Sequence, residues 1–398
     1  MASRRRFILS AALTPLTGAL AAARPGQPDF TPGKGIRGQF LVPSNKLYFN
    51  TGSLGPSPLP VIRSVEEAMR QLERDPVSEN WGALGERMEQ VRGQVASFIN
   101  GRPADVLLTR NTTEGLSLVA QSLRLQPGDE ILTTTLEHGG AEVGLDHLAA
   151  TQGVVIKRAD VPVDVSNPEE VVRGIVSQVS SRTRAMWLSH VNTVTGLIMP
   201  FGLMAEACRK NGILLIADGA QAVGNIPVDV EALGVDAYAC SGHKWLFGPK
   251  ETGFLWTRPG FGWTQRPVFV MDGYGTYSRA SGTRNVAVLS GLGTAVDWHL
   301  QARPDIIRDH AMGLRDRLRE RLEDDARLRI ISPSGRMASC ILSFSLQNTK
   351  NNDVFQKLKQ DGIIVKLLPQ MNALRISLNV FHTDKDIDVL TDAISRCM

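Results

Sequence analysis

Two stretches of sequence decide the expected fold: Ile213 to Gln221 reads ILLIADGAQ, and Ala237 to Trp245 reads AYACSGHKW. In each stretch a short apolar run is followed by glycine and polar side chains, which is typical of a buried strand that ends in a loop. Parallel strands present their carboxyl ends at one edge of a sheet, where ligands bind. We therefore expect Asp218 and Lys244 to lie at the same edge.

The sequence around these stretches alternates between short apolar runs and longer segments with helical patterning. The apolar runs include residues 106–108, 130–132, 154–156 and 186–188, and the helix-like segments include residues 59–73, 84–99, 168–180 and 200–211. Strands that alternate with helices predict a parallel sheet covered on both faces, which places the chain in the α/β class.

A change of pattern near Asn285 indicates a second, smaller unit. The charged helical segment 304–325 is followed by the strand-like runs 340–344 and 373–377 and by the helix-like segments 353–361 and 384–396. We expect a leader at 1–25, an arm at 26–46, a large domain at 47–285 and a small α+β domain at 286–398.

Composition limits the class of protein. The chain has 398 residues, 42% of them hydrophobic and 21% charged, as in an ordinary globular enzyme. Its 44 basic and 40 acidic residues give a net charge of +4, which is too mild to indicate a nucleic-acid partner. The four cysteines lack CxxC spacing, so they predict free thiols rather than a zinc site, and no metal ligands are expected.

The first 25 residues are typical of an export signal. Arg4, Arg5 and Arg6 precede an uncharged run that ends in small residues at 19–23. The pattern from Ser3 to Leu9 resembles a bacterial twin-arginine signal, which implies the twin-arginine export machinery and a periplasmic location, with cleavage near 21–23. A frayed cytoplasmic terminus or an uncleaved anchor is the alternative.

The sequence D-G-A-Q-A from Asp218, followed by S-G-H-K-W-L-F-G-P from Ser241, resembles the fold-type I, class V aminotransferase family. That family includes cysteine desulfurases and isopenicillin N epimerase, and the likeness extends over about 48–390. It implies a large domain with a mainly parallel seven-stranded sheet, and pyridoxal 5'-phosphate (PLP) as cofactor. Lys244 would hold PLP as an imine, and Asp218 would pair with its pyridine nitrogen. Taken singly, Asp218 can be a helix cap and Lys244 a surface lysine.

The resemblance also implies the residues that bind the cofactor's phosphate. Thr112 and Thr113 lie where a strand gives way to a helix, and amides at a helix N-terminus favour phosphate. Ser241 and His243 are expected to complete this cradle. The alternative is a plain helix cap by one of the two threonines.

Three further residues are expected to contact the cofactor's ring. The resemblance places the imidazole of His138 flat against the pyridine ring as a catalytic residue, together with Lys244 and Asp218. It places Asn192 and Gln221 near the phenolic oxygen. Without the resemblance, His138 reads as an ordinary loop histidine.

Two sites concern the partner subunit and the substrate. Thr283, in the sequence Ser281 to Asn285, resembles a threonine that crosses a subunit boundary to the neighbour's phosphate, which implies a homodimer with shared active sites. A turn between domains is the alternative. The run from Leu374 to Ser377 resembles the family's R-x-S signature. Arg375 is expected to bind the substrate's α-carboxylate, because an arginine fork binds a carboxylate in bidentate fashion. Asn50 is also expected to bind the substrate. A surface salt bridge is the alternative for Arg375.

The expected function is a reaction on an amino acid or a peptide-like derivative through an external aldimine, with Lys244 moving protons. Cysteine desulfurases carry a cysteine shortly before the carboxylate-binding arginine, and residues 365–372 contain none. Epimerisation, transamination, β-elimination and decarboxylation stay open. The leader makes the chain similar to an exported PLP enzyme of pyoverdine siderophore maturation. A catalytically silent PLP-binding protein is the alternative of another class.

Overall fold

The computed structural model describes residues 29–163, 165, 167–261 and 266–398. The predicted leader lies outside the described residues. The helices are α1 Lys34–Arg37, α2 Leu59–Leu72, α3 Pro76–Trp81, α4 Ala83–Phe98, α5 Thr112–Ser122, α6 Gly139–Gln152, α7 Pro168–Val176, α8 Phe201–Asn211, α9 Val230–Leu233, α10 Val286–Ala302, α11 Pro304–Glu323, α12 Asn351–Gln360 and α13 Asp384–Cys397. The strands are β1 Leu47–Tyr48, β2 Val106–Thr109, β3 Glu130–Thr134, β4 Val155–Ala159, β5 Thr183–Ser189, β6 Leu214–Asp218, β7 Ala237–Ser241, β8 Gly253–Thr257, β9 Leu328–Ile330, β10 Ile341–Leu346, β11 Ile363–Ile364, β12 Lys366–Leu368 and β13 Ala373–Ser377.

A seven-stranded sheet forms the centre of the molecule. Its order is β2-β8-β7-β6-β5-β3-β4, and only β8 runs antiparallel to its neighbours. The predicted α/β class and mainly parallel sheet are confirmed. Strand β8 was not predicted from the sequence. It follows β7 after a loop rather than after a helix, so it breaks the alternation of strands and helices from which the sheet was predicted.

Apolar side chains cover both faces of this sheet. One face packs in a core that includes Leu215 of β6, Met204 of α8 and Val91 of α4. The other face packs in a core that includes Ile216 of β6 and Leu145 of α6. Neighbouring residues of β6 therefore enter different cores, as the alternation of side chains along a strand requires. A strand buried on both faces reads as a continuous apolar run.

A smaller antiparallel sheet, of order β12-β13-β10-β9, forms a second layer with its own apolar core. Helices α11, α12 and α13 pack on it and on one another. Helix α10 packs against α2 and α4, and Leu292 and Val296 of α10 belong to the core of the large sheet. The division of the chain into domains stays a prediction. It assigns α10 to the small domain, although α10 packs on the core of the large sheet.

The predicted helices are present with small changes at their ends. The segment expected to be helical at 168–180 ends at Val176, where α7 is capped by Ser177. Helix α6 was not predicted, because its glycine-rich start gives a weak helical pattern. Among the described residues, no helix is long and apolar enough to cross a membrane.

Candidate active site

The carboxyl ends of β5, β6 and β7 meet at one edge of the large sheet. Asp218 ends β6, and in the ladder it lies beside Ser189 at the end of β5 and beside Ala239 of β7. The loop after β7 carries Lys244 back toward this edge. The sheet therefore brings Asp218 and Lys244 to the same edge, as the sequence predicts.

Asp218 and Lys244 form the charged centre of the site. Burial raises the pKa of Asp218, and the nearby Lys244 charge opposes that rise. Burial lowers the pKa of Lys244, while Asp218 opposes this change and Arg375 adds to it. The Asp218 Oδ1 also accepts a 2.8 Å hydrogen bond from the Ala220 amide. Among the described residues, none accepts a hydrogen bond from the Lys244 amine. Its lowered pKa favours the neutral, nucleophilic form of the amine.

The start of α5 contacts the end of β7 where the phosphate cradle is predicted. The Thr112 amide donates to the Ser241 hydroxyl at 3.0 Å, and the two hydroxyl oxygens lie 2.8 Å apart. Asn111 caps the helix by accepting from the Glu114 amide. The capping role that was the alternative for Thr112 and Thr113 thus falls to Asn111. Thr113, at the second position of α5, is half-buried.

His243 supplies a polar atom that lacks a protein partner. Its Nδ1 is buried and makes no hydrogen bond within the described part of the chain. Burial and the Lys244 charge lower the pKa of His243 to about 4, so its ring is neutral at physiological pH. A buried polar atom without a partner is costly unless a ligand satisfies it. His243 therefore fits the predicted phosphate site.

His138 lies at the N-terminus of α6, where its Nδ1 accepts a 3.0 Å hydrogen bond from the Gly140 amide. Burial and the Lys244 charge lower its pKa. His138 and Lys244 both line a cavity of about 670 Å³. An imidazole in this wall fits the ring-contacting role that was predicted for His138.

Arg375 faces the same cavity from β13 and is 2% exposed. Its fork donates to the Thr193 carbonyl and hydroxyl and to the side chains of Asn50 and Ser53, at 2.8 to 3.2 Å. Its Nε has no partner, and no carboxylate pairs with it among the described residues. Burial lowers the pKa of Arg375 to about 10. A buried cation without a counter-ion is a site for an anion.

The two predicted amide residues differ in position. Gln221 donates to the Gly52 carbonyl and the Thr193 hydroxyl and accepts from the Trp245 indole, so its amide already has protein partners. Asn192 donates to the Leu136 carbonyl, and its oxygen accepts from residues 194 and 195 of its own loop. Their contact with a phenolic oxygen stays a prediction.

Thr193, next to Asn192, is a site residue that the sequence analysis missed. It lines the cavity and contacts both Arg375 and Gln221. Both residues lie in the loop 189–196, and nothing in the residue types distinguishes Thr193 from Asn192 as the one that faces the cavity.

Thr283 lies away from the Lys244 cavity of its own chain. It is exposed just before α10 and lines a separate surface cavity with Arg110 and Phe269. Its position therefore does not support a role in the phosphate cradle of its own chain. A role in a neighbour's site stays a prediction.

The profile of the Aminotransferase class-V family matches residues 48–390. This span covers both sheets and every predicted site residue. The chain belongs to the class V aminotransferase family. Its cofactor is accordingly PLP, and the partnerless His243 nitrogen, the Thr112–Ser241 cradle and the buried Asp218 all fit this group.

Two class V relatives show the range of reactions in the family. The chain is 28% identical to isopenicillin N epimerase of Streptomyces clavuligerus over 384 residues, which is 90% of this chain and 96% of that protein. It is 30% identical to cysteine desulfurase of Serratia proteamaculans over 341 residues, 78% of this chain and 82% of that one.

Solved structures of two other proteins have the same fold. A mutant of the cystine C–S lyase C-DES with glycine covalently linked to its PLP cofactor has a TM-score of 0.83 at 23% identity, over 90% of this chain and 98% of that one. The cysteine desulfurase CsdA of Escherichia coli has a TM-score of 0.78 at 25% identity, over 91% of this chain and 97% of that one.

Among the residues that the structure describes, no cysteine lines the cavity of this class V enzyme. Residues 366–371 form one wall of it, and that wall contains lysine, leucine, proline, glutamine and methionine side chains. The four cysteines are free and buried elsewhere. Burial raises the pKa of Cys340 and of Cys240, to about 12 for the former, so neither thiol ionises readily.

Proposed function

We propose that this enzyme acts at the α-carbon of an amino acid, or of a peptide-like derivative that keeps a free amine and carboxylate. One observation carries the proposal: the buried Arg375, which lacks a carboxylate partner among the described residues, faces the same cavity as Lys244. An arginine fork binds a carboxylate, and the lysine then lies near the neighbouring carbon. When bound, PLP supplies an electron sink for that carbon.

The residues of the chain divide the remaining work. Arg375 orients the carboxylate, and Asn50 and Ser53 hold the guanidinium through its Nη2. Asp218 keeps a negative charge beside Lys244. Because burial lowers the pKa of Lys244, its amine can accept a proton from the α-carbon and return it.

Epimerisation is the outcome that we favour. An epimerase must take a proton from one side of the carbon and return one to the other side, which two separate proton-transfer groups can accomplish. Lys244 and His138 both line the cavity and both have lowered pKa values. The 28% identity to an isopenicillin N epimerase supports this choice. Transamination, β-elimination and decarboxylation are the alternatives.

Desulfuration through a protein persulfide is disfavoured, although cysteine desulfurases are among the relatives. That chemistry requires a thiol that can reach the substrate, and the cavity wall at 366–371 offers none. The nearest sulfur in sequence to Lys244 belongs to Cys240, which is fully buried in β7.

The leader at 1–25 motivates the proposal that the enzyme works in the periplasm after twin-arginine export. We propose a peptide-like secondary metabolite, such as a siderophore precursor, as its substrate there. Cell fractionation with an antibody tests the location. A purely cytoplasmic protein with an intact leader would contradict it.

We also propose that the enzyme is a homodimer in which Thr283 reaches the partner's phosphate site. The exposure of Thr283 and of the apolar side chains Val268 and Tyr277 in the same region supports this arrangement. A mixture of Lys244→Ala and Thr283→Ala chains tests it, since a hybrid dimer would contain one intact site. Recovery of activity on mixing is expected, and no recovery from a mixture that forms hybrids would contradict shared sites.

A substrate screen with mass detection tests the reaction itself. Purified enzyme is incubated with amino acids and siderophore precursors in D₂O, with Lys244→Ala as the blank. Epimerisation adds one deuterium at the α-carbon and changes the chirality, whereas the other outcomes change the mass differently. If free amino acids react readily and no precursor changes, the siderophore proposal fails.

Absorbance separates an enzyme from a silent PLP-binding protein. The cofactor band is expected to shift when the right amine is added, and borohydride is expected to fix the cofactor to Lys244. A band that no amine shifts would favour the silent alternative. A protein that takes up no cofactor would contradict the whole assignment.

A further inference from the structure

A second cation lies directly opposite Arg375 in the small sheet. In the antiparallel ladder of β12 and β13, Lys366 is the register partner of Arg375. Side chains of directly paired residues lie on the same face of a sheet, with their Cβ atoms about 5 Å apart. Both residues line the cavity that contains Lys244.

Two like charges in this position are unfavourable by themselves. A directly opposite pair of the same sign destabilises a sheet, and Arg375 is 2% exposed. Neither Lys366 nor Arg375 forms an ion pair with a carboxylate in the described ranges. The cost is offset when an anion binds between or beside the two cations.

The proposed reaction supplies an anion for only one of the two cations in this part of the cavity wall. The substrate's α-carboxylate occupies Arg375, and Asp218 is the predicted counter-ion of the cofactor's ring nitrogen. The phosphate cradle at Thr112 and Ser241 is not part of the wall formed by β12. Lys366 therefore remains as an additional positive charge toward the solvent side of the cavity.

The position of Lys366 suits a group at the far end of the substrate. Lys366 is exposed, as is Gln370 on the same wall, whereas Arg375 is deep. A lysine is a flexible point charge, so it can follow a carboxylate at the end of a chain of variable length. The cavity extends from Lys244 to Lys366, so a chain attached at the α-carbon can run toward Lys366.

We propose that Lys366 binds a second carboxylate of the substrate, so that the enzyme selects amino acids or peptide-like derivatives with a distal acid group. This inference rests on the proposed function and narrows its substrate class. The alternative is that Lys366 is a solvated surface lysine without a role in selection.

Matched acid and amide probes test the inference. The holoenzyme is titrated with aspartate, glutamate and 2-aminoadipate, and with the amide of each, while the cofactor absorbance is recorded. Each pair differs in the distal charge and hardly in shape. At least one acid is expected to bind about tenfold more tightly than its amide, as a charge-assisted hydrogen bond provides.

Three variants assign the preference to Lys366. Lys366→Met keeps the apolar stem and is expected to weaken the preferred acid about tenfold while it leaves the amide within about twofold. Lys366→Arg is expected to retain most of the preference. Lys359→Met, at an exposed lysine of α12, is the matched control and should behave as wild type.

The outcomes separate this inference from the proposed function. If amines shift the absorbance but no acid is preferred over its amide, or if Lys366→Met weakens acid and amide equally, Lys366 does not select a distal acid. If no amine shifts the absorbance at all, the proposed function itself fails, and with it the substrate class inferred here.

Discussion

Arg375 donates to Thr193 twice, to the carbonyl oxygen at 2.9 Å and to the hydroxyl at 2.8 Å. These bonds join β13 of the small sheet to the loop that follows β5 of the large sheet. The carboxylate-binding group of one layer is thus held by a loop of the other. The Thr193 hydroxyl also accepts from Gln221, so the geometry around Arg375 depends on both layers.

Thr193→Val removes the hydroxyl and keeps the carbonyl bond. We expect KM for the substrate found in the screen to rise about tenfold with kcat within about twofold, because a bond to a charged group contributes to carboxylate binding. Steady-state kinetics measures both constants, and Thr193→Ser should stay near wild type. A fall in kcat at constant KM would mean that Thr193 acts in the chemical step instead.

Asp218→Asn keeps the shape of the side chain and removes its charge. Without the buried carboxylate the ring nitrogen loses its counter-ion. The pKa of Lys244 is also expected to fall further, because in the wild-type protein the charge of Asp218 raises that pKa. We expect kcat to fall about hundredfold, in line with the loss of a buried charge interaction. Asp309→Asn, at an exposed residue, is the control. Unchanged kcat in the Asp218 variant would remove this residue from the mechanism.

Ser241→Ala takes away the oxygen that the Thr112 amide contacts at the start of α5. We expect the affinity of the apoenzyme for PLP to fall about tenfold, because one polar partner of the phosphate cradle is lost. Titration of the apoenzyme with PLP measures this change. Ser177→Ala, at an exposed serine of the α7 C-cap, should not alter it. If the Ser241 and Ser177 variants bind PLP with the same affinity, the phosphate does not bind at Ser241.

Glu137 makes the stability of the folded protein depend on pH, and a variant can isolate this contribution. It accepts hydrogen bonds from Thr134 and Ser189, and burial raises its pKa from 4.5 to about 7. The folded chain therefore holds this proton to higher pH than the unfolded chain, so stability falls as pH rises from about 4.5 to about 7. The loss is at most about 3 kcal/mol.

Glu137→Gln cannot titrate, so this part of the pH dependence should disappear in the variant. Urea unfolding of the apoenzyme at pH 5 and pH 8 gives the free energy of unfolding of wild type and of the variant. The difference between these two free energies is expected to change between the two pH values. Glu206→Gln, at an exposed glutamate, should run parallel to wild type. Parallel curves for Glu137→Gln as well would show that the proton of Glu137 does not affect folding.

The sequence alone determined the parts of this protein that are encoded locally. Apolar runs followed by polar residues gave the strand ends that carry Asp218 and Lys244, and the lysine motif identified the family and its cofactor. Helix boundaries were predicted to within a few residues wherever the apolar period was regular. These features depend on neighbours in the chain, so their signal survives without a structure.

Only the tertiary structure decided which residues meet across the chain. It placed Thr193 rather than Asn192 against the cavity. It also showed that the side-chain amide of Gln221 already forms hydrogen bonds within the protein. It inserted β8 between β2 and β7, and it set Lys366 opposite Arg375. Each of these results depends on strand register or loop packing between distant segments. The residue types in one segment do not determine which distant segment packs against it.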